Sequence, residues 1–262
     1  MTSTAAWDPA GYLRFGDERA RPFTDLIARV GASEPRTVVD LGCGEGTLTA
    51  SLAQRWPAAR VTGVDSSPEM LAAAAAYAVP GRVTFTHGDA QEWQPAEPVD
   101  VLVTNAVLHW VPGHADLLRR WAGQLAPGGW LALQVPGNFR APTHALLAGL
   151  CRSPRWAGLV GDAAPAEDAV LDPAGYLDVL GGAGLATDAW ETTYLHVLRG
   201  DDPVLGWVRS TVLRPVLARL GEDDAAELTA EYAAALRAAY PRRPDGTTLL
   251  PFRRVFAVGH AG

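Results

Sequence analysis

The sequence predicts an α/β fold built on a doubly wound, mostly parallel sheet. Short β-branched runs recur along the first half of the chain, and each reads as a buried strand. Each run ends on an acid or a glycine turn. A stretch with apolar residues at helical spacing then follows, and alternation of this kind places strands side by side with crossover helices.

Residues 1–31 read as an N-terminal capping segment. Trp7-Asp8-Pro9, Tyr12 and Phe15 precede an amphipathic pattern of Pro22, Leu26, Ile27 and Val30. Arg14, Arg19 and Arg21 cluster here, either as a solvated face or with one arginine turned to a ligand beneath an aromatic flap.

Residues 32–140 form the expected ligand-binding core. Val38 and Val39 form the first strand, which ends at Asp40 and runs into glycines at 42, 44 and 46. Leu48, Leu52 and Ala53 continue as a helix with Pro57 as its stop. A glycine turn between strand and helix lets a ligand approach the main chain, because no Cβ intervenes. A dinucleotide loop needs G-x-G-x-x-G, but here the third glycine comes one residue early and position 47 is threonine. The chain has no lysine, which excludes a phosphate-cradling P-loop. Asp40–Gly46, D-L-G-C-G-E-G, resembles motif I of the S-adenosylmethionine-dependent methyltransferases. That resemblance implies a Rossmann-like seven-stranded sheet, six strands parallel and the seventh antiparallel. It sets Asp40, Gly42, Cys43, Gly44 and Gly46 against the cofactor.

Arg60–Val64 is the second strand, and Asp65 stands at its carboxyl end, about twenty residues past the loop. There an acid can accept hydrogen bonds from both ribose hydroxyls. Ser66 and Met70 are expected beside it, with Ser67 as N-cap and Pro68 as the first residue of a helix that the alanine-rich 72–78 continues. Arg82–His87 is the third strand. Asp89 is placed to take the exocyclic amine of adenine, Ala90 leaves room for the ring, and Trp93 either flanks it or packs. The fourth strand, Val99–Val103, should lie beside the first at the topological switch point. Asn105, His109 and Trp110 after it should therefore face the methyl donor. Methylation of nucleic-acid bases would call for Asn/Asp-Pro-Pro-aromatic here, and Asn105-Ala106-Val107-Leu108 lacks it.

A helix over Asp116–Leu125 and a Pro127-Gly128-Gly129 turn lead to a fifth strand, Trp130–Val135, with Gln134, Pro136 and Asn138 at the site's edge. A sixth strand is expected within Asp188–Leu198 and the seventh over Phe252–Val258. Between these last two, residues 200–245 form a helical insertion contributing to the substrate pocket.

Composition narrows the partners. With 262 residues the chain suits one domain, 1–262, and a net charge of −7 argues against a nucleic-acid partner. All 22 basic residues are arginine, whose planar fork suits carboxylates. The two cysteines, Cys43 and Cys151, give no zinc spacing and no disulfide framework, so no metal is expected. No signal segment or membrane-spanning run is read, and the default is a cytoplasmic enzyme.

Beyond motif I the chain resembles the trans-aconitate 2-methyltransferases. The likeness is carried by Trp7-Asp8-Pro9 with Tyr12 and Phe15, Glu18–Pro22, Gln54–Arg60, Asp65–Pro68, Trp93-Gln94-Pro95, Asn105–Trp110, Thr192-Thr193-Tyr194, Trp207-Val208 and Leu213-Arg214-Pro215. His109 departs from the family, which has glutamine there. The resemblance implies methyl transfer to a carboxylate of trans-aconitate or a close relative, with Tyr12, Arg21, Trp110 and Arg214 around the substrate. A carboxylate is already ionised at neutral pH, so no general base is required, and His109 and Trp110 would only position. The alternatives are an O-methyltransferase of the same fold acting on another acid or on a hydroxyl, with His109 as base, and a non-catalytic cofactor binder.

Overall fold

The computed structural model describes residues 16–164 and 169–262. Trp7, Tyr12, Arg14 and Phe15 lie outside them. In chain order the first half holds α1 (Gly16–Ile27), β1 (Thr37–Leu41), α2 (Thr47–Arg55), β2 (Arg60–Asp65), α3 (Pro68–Ala74), β3 (Val83–His87), β4 (Val99–Asn105) and α4 (His114–Ala122). The second half holds β5 (Leu125–Pro136), α5 (Pro142–Cys151), α6 (Ala157–Val160), α7 (Pro173–Gly182) and β6 (Ala186–Leu198). It closes with α8 (Pro203–Arg209), α9 (Leu213–Leu217), α10 (Glu222–Ala239) and β7 (Thr248–His260).

The seven strands form one sheet in the order β3-β2-β1-β4-β5-β7-β6. β1 pairs in parallel with β2 and β4, β2 with β3, and β4 with β5, while β7 runs antiparallel to β5. The order reverses between β1 and β4, so the switch point falls where the glycine loop begins. Val38, Val39 and Leu41 of β1 are all buried, as expected where helices cover both faces of a parallel sheet. Val38, Leu41, Val101, Leu102 and Val103 are each at most 1% exposed.

The chain divides into two compact units. One takes in Arg19–Pro136, Val170–Thr192 and Arg254–Gly262. Its core packs β1, β4 and β5 under α4 and α7, with Leu118, Trp121 and Tyr176 fully buried. The Tyr176 hydroxyl lies 3.0 Å from His114 Nε2, so this buried α4–α7 contact has a polar pin. The other unit includes Gly137–Ala169 and Thr193–Arg253. It is mainly helical, with α5 against α10 around Leu147, Trp156, Trp207, Leu228, Tyr232 and Leu236. The Tyr232 hydroxyl donates to the Thr143 carbonyl (2.6 Å), and the Thr143 N–H donates to the Tyr240 hydroxyl (3.3 Å). Residues 200–245, with α8, α9 and α10, lie within this unit.

Two boundaries differ from the sequence expectation. α4 stops at Ala122 and β5 starts at Leu125, running through Pro127-Gly128-Gly129. Strand pairing outweighs local turn chemistry here: Leu125 pairs with Val99, and the register shifts between Val99 and Val101 to absorb the turn. The alanine run keeps α-helical form only to Ala74 and finishes as a 3₁₀ turn, Ala75–Tyr77. No described helix is long and apolar enough to cross a membrane.

Candidate active site

The site is built on the segment after β1. Gly42 and Cys43 both donate their N–H groups to the Val64 carbonyl, at 2.7 and 3.1 Å, which ties the loop to β2. Gly42 has φ +77°, and a Cβ there would stand 2.1 Å from Val107 Cγ2. Packing therefore requires this glycine. Gly44 is different. Its φ is +57°, but a Cβ would meet nothing within 4 Å, so the loop presents an open face at this residue. That is the cradle expected of a ligand-binding turn.

Asp65 joins this loop to the next helix. One carboxylate oxygen accepts the Gly44 N–H and the other the Ser67 N–H, both at 2.9 Å. Two bonds use only half of a carboxylate's lone-pair sites, which leaves acceptor capacity for two ribose hydroxyls. Ser67 caps α3 as its sequence position predicts, accepting the Met70 N–H at 3.2 Å with Pro68 in the first turn. Ser66 is exposed and Met70 half-buried. Asp89 is exposed at the end of β3. One of its oxygens accepts the Gln91 N–H (2.8 Å), and the other makes no hydrogen bond to the described residues. Ala90 and Trp93 pack against the sheet core.

Asp40 lies beneath the loop, 2% exposed, and accepts a 2.6 Å hydrogen bond from Thr49 on α2. Burial pushes its carboxyl up from 3.8 to about 6, partly countered by the Thr49 bond and reinforced by the Asp65 charge. Cys43 is buried and its thiol is pushed far up by the same loss of water, so it is an inert spacer. The sign of the Asp40 shift makes a prediction. A raised folded pKa costs nothing below the unfolded value of 3.8 and costs most above about 6. Asp40→Asn, which keeps an acceptor for Thr49, should therefore gain stability relative to the parent as pH rises from 4 to 7. Two pH units correspond to about 3 kcal/mol at most. Urea unfolding of both proteins across that range reads the difference, and a pH-independent gap would contradict it.

β4 supplies the other wall. Asn105 pairs in register with Gln134 of β5. The buried Asn105 Oδ1 and Gln134 Nε2 atoms both lack a hydrogen-bond partner among the described residues. Unsatisfied buried polar atoms are costly, and these two on adjacent strand ends leave hydrogen-bonding positions open to a polar ligand. Ala106 follows with φ +58°, a strained value for a residue with a Cβ, held by its N–H bond to the Gln134 carbonyl (2.9 Å). The kink turns Val107 onto Gly42 and starts the Leu108–Trp110 turn. His109 is half-buried with its ring 4.6 Å from that of Trp110, which is 54% exposed.

The structure thus brings Asp40, the glycine loop, Asp65 and Asn105 together through hydrogen bonds and strand register. The substrate candidates are more dispersed. Arg21 is exposed on α1, and Arg214 is half-buried on α9 of the helical unit. Tyr12 lies outside the described residues. The Val107–Gly42 contact, the Ala106 kink and the Thr49–Asp40 bond were not expected, and each joins segments that no local pattern links.

The open face at Gly44, the spare acceptors of Asp65 and Asp89 and the orphaned pair on β4 and β5 fit a nucleoside with a polar tail. Residues 38–129 match the family described as "Methyltransferase domain". A solved S-adenosylmethionine-dependent methyltransferase from Thiobacillus denitrificans, in complex with S-adenosyl-L-homocysteine, shares the fold. It superposes with a TM-score of 0.55 at 22% identity, over 97% of this chain and 99% of that one. Fold and site together define a Rossmann-like methyltransferase. Among curated proteins, the Streptomyces avermitilis "Trans-aconitate 2-methyltransferase" is 56% identical over 97% of both chains. A Streptomyces coelicolor protein of the same name is 55% identical over 98% of this chain and 88% of its own. The chain belongs to the trans-aconitate 2-methyltransferase family.

Proposed function

We propose that the protein transfers the methyl group of S-adenosylmethionine to a carboxylate of trans-aconitate or a closely related polycarboxylate, leaving a monomethyl ester and S-adenosylhomocysteine. The observation that carries this reading is the identity of more than half of all residues, across nearly the whole chain, with relatives bearing that name.

The cofactor supplies an electrophilic methyl on a cationic sulfur. In this reading Asp65 accepts the ribose hydroxyls and Asp89 the adenine amine, with Ala90 beneath the ring. Gly44 offers the open face of the loop that Gly42, Cys43 and Gly46 shape over Asp40, and Ser66, Met70 and Asn105 complete the contacts. Tyr12, Arg21, Trp110 and Arg214 are the candidates for recognising the acceptor, and His109 would act only by positioning. None of these residues has to take a proton, because the acceptor carboxylate, with a pKa near 4 in free acids, arrives ionised. What they supply is alignment of nucleophile and methyl and exclusion of water. Anion and cation neutralise one another as the bond forms, so a drier site strengthens their attraction.

Incubation with methyl-labelled cofactor and a panel of polycarboxylic acids tests the proposal. A base-labile labelled ester with trans-aconitate is the expected product. Label incorporated only into a hydroxyl acceptor, or no turnover with any acid, would overturn it.

A further inference from the structure

We infer that a cavity of the helical unit, walled by Asn138, Arg140, Thr193 and Arg253, is a binding site for the carboxylates of a polycarboxylate. The inference rests on the polycarboxylate reading above and deepens it. The cavity measures 280 Å³ and is lined by seven residues, none acidic. Its size is close to the lower end of small-ligand pockets, about 300 Å³, as suits a small acid.

Three features make it a built anion site. Two arginines, Arg140 and Arg253, line it. Arg140 is exposed and makes no hydrogen bond or ion pair with the described residues, so its five donors are available. Arg253 is half-buried and anchored, with one guanidinium N–H donated to the Gly137 carbonyl at 3.0 Å, which fixes the direction of its fork. Arginine is the residue suited to bidentate carboxylate recognition, and a polycarboxylate brings more than one such group.

The second feature is Asn138, which lines the cavity while only 6% exposed and has a buried Oδ1 with no partner among the described residues. Its Nδ2 lies 3.5 Å from His144 Nδ1, and that nitrogen also lies 3.1 Å from Thr143 Oγ1. Burial lowers His144 to about 4, so the imidazole is neutral at working pH and offers either a lone pair or a proton at Nδ1. A half-turn of the Asn138 amide would give its oxygen to His144 and its N–H₂ to a carboxylate, which satisfies both ends. The third feature is the start of α5. Ala141, its N-cap, is also in the wall, so the positive end of a ten-residue helix adds to the field of the arginines.

Among the described residues Arg140 has no structural partner to lose, which makes it the variant to test. Arg140→Ala should weaken trans-aconitate binding and raise its KM by roughly ten-fold or more, as loss of a charge-assisted pair implies, and Arg140→Glu should do more. Arg253→Lys, which keeps the charge but not the fork, should also raise KM. Cofactor affinity should stay within two-fold for all three. The ratio of turnover on trans-aconitate to turnover on a monocarboxylate should fall in step with KM. Unchanged KM in both Arg140 variants would overturn the cavity assignment while leaving the reaction class standing. Were the parent protein to show no turnover with trans-aconitate, calorimetric titration with the acid alone would still decide. Binding lost in Arg140→Glu upholds the cavity with a different acceptor chemistry, and absence of binding to the parent overturns it.

Discussion

Asp65→Ala is expected to weaken S-adenosylmethionine binding by roughly 10²- to 10⁴-fold while the protein remains folded. The magnitude follows from the number of bonds lost. Hydrogen bonds to a charged acceptor contribute about 1.5–3 kcal/mol each, and two ribose hydroxyls would lose theirs together. The effect reaches the loop as well. The carboxylate holds the Gly44 and Ser67 N–H groups, so its removal frees the segment whose open face forms the cradle. Asp65→Asn separates these contributions. An amide presents one acceptor and one donor, so it can satisfy one of the two backbone N–H groups and must oppose the other. Its cofactor affinity should be nearly as poor as that of the alanine variant. Isothermal titration with the cofactor or its demethylated product, beside circular dichroism for the fold, gives the answer. Cofactor affinity within three-fold of the parent would remove Asp65 from the ribose site.

Gly42→Ala is expected to lower stability by about 4 kcal/mol, because strain and overlap act at one residue. A φ of +77° disfavours any residue with a Cβ by about 1–2 kcal/mol. An atom 2.1 Å from Val107 Cγ2 must also displace that side chain or the loop, at about 1–3 kcal/mol. For a chain of this size the change corresponds to a drop of roughly 8–15 °C in Tm. The double variant Gly42→Ala/Val107→Ala should recover the overlap but not the backbone strain, and the double-mutant cycle measures that coupling directly. Gly44→Ala is the control. It shares the positive φ but meets no neighbour, so it should cost only about 1 kcal/mol in stability while cofactor affinity falls. Equal Tm losses at the two glycines would contradict the assignment of Gly42 to packing and Gly44 to the ligand.

Much of the cofactor side was legible because its signals are local. The run of Val38 and Val39, the glycines behind it and the acid at position 65 sit within thirty residues, and each has a meaning that depends on its neighbours in sequence. The Ser67-Pro68 helix start is as local, and the structure places the cap as the sequence implies. Legibility ended where a long-range pairing outweighed a local signal. The Pro127-Gly128-Gly129 turn reads as the end of a loop, yet it lies inside β5, because Leu125 pairs with Val99 and the register shift accommodates the turn. Arg21 and Arg214 follow from the family resemblance and from arginine's fit to carboxylates, with no local pattern that ties either to the loop. Nothing in the sequence brings Arg140 to Arg253, since 112 residues separate them and one lies after β5 and the other inside β7.

The amino-acid sequence by itself determined the α/β class, the strand–glycine–helix turn and the acids at successive strand ends. Period, turn chemistry and capping act over a few residues and need no partner from elsewhere in the chain. Only the tertiary structure decided which glycine serves packing and which leaves room for a ligand, since that turns on Val107, far along the chain from Gly42. It alone left Asn105 and Gln134 with unmet hydrogen bonds and gathered Asn138, Arg140, Thr193 and Arg253 around one cavity. Proximity between distant residues follows from strand order and burial, and these are settled only when the whole core packs.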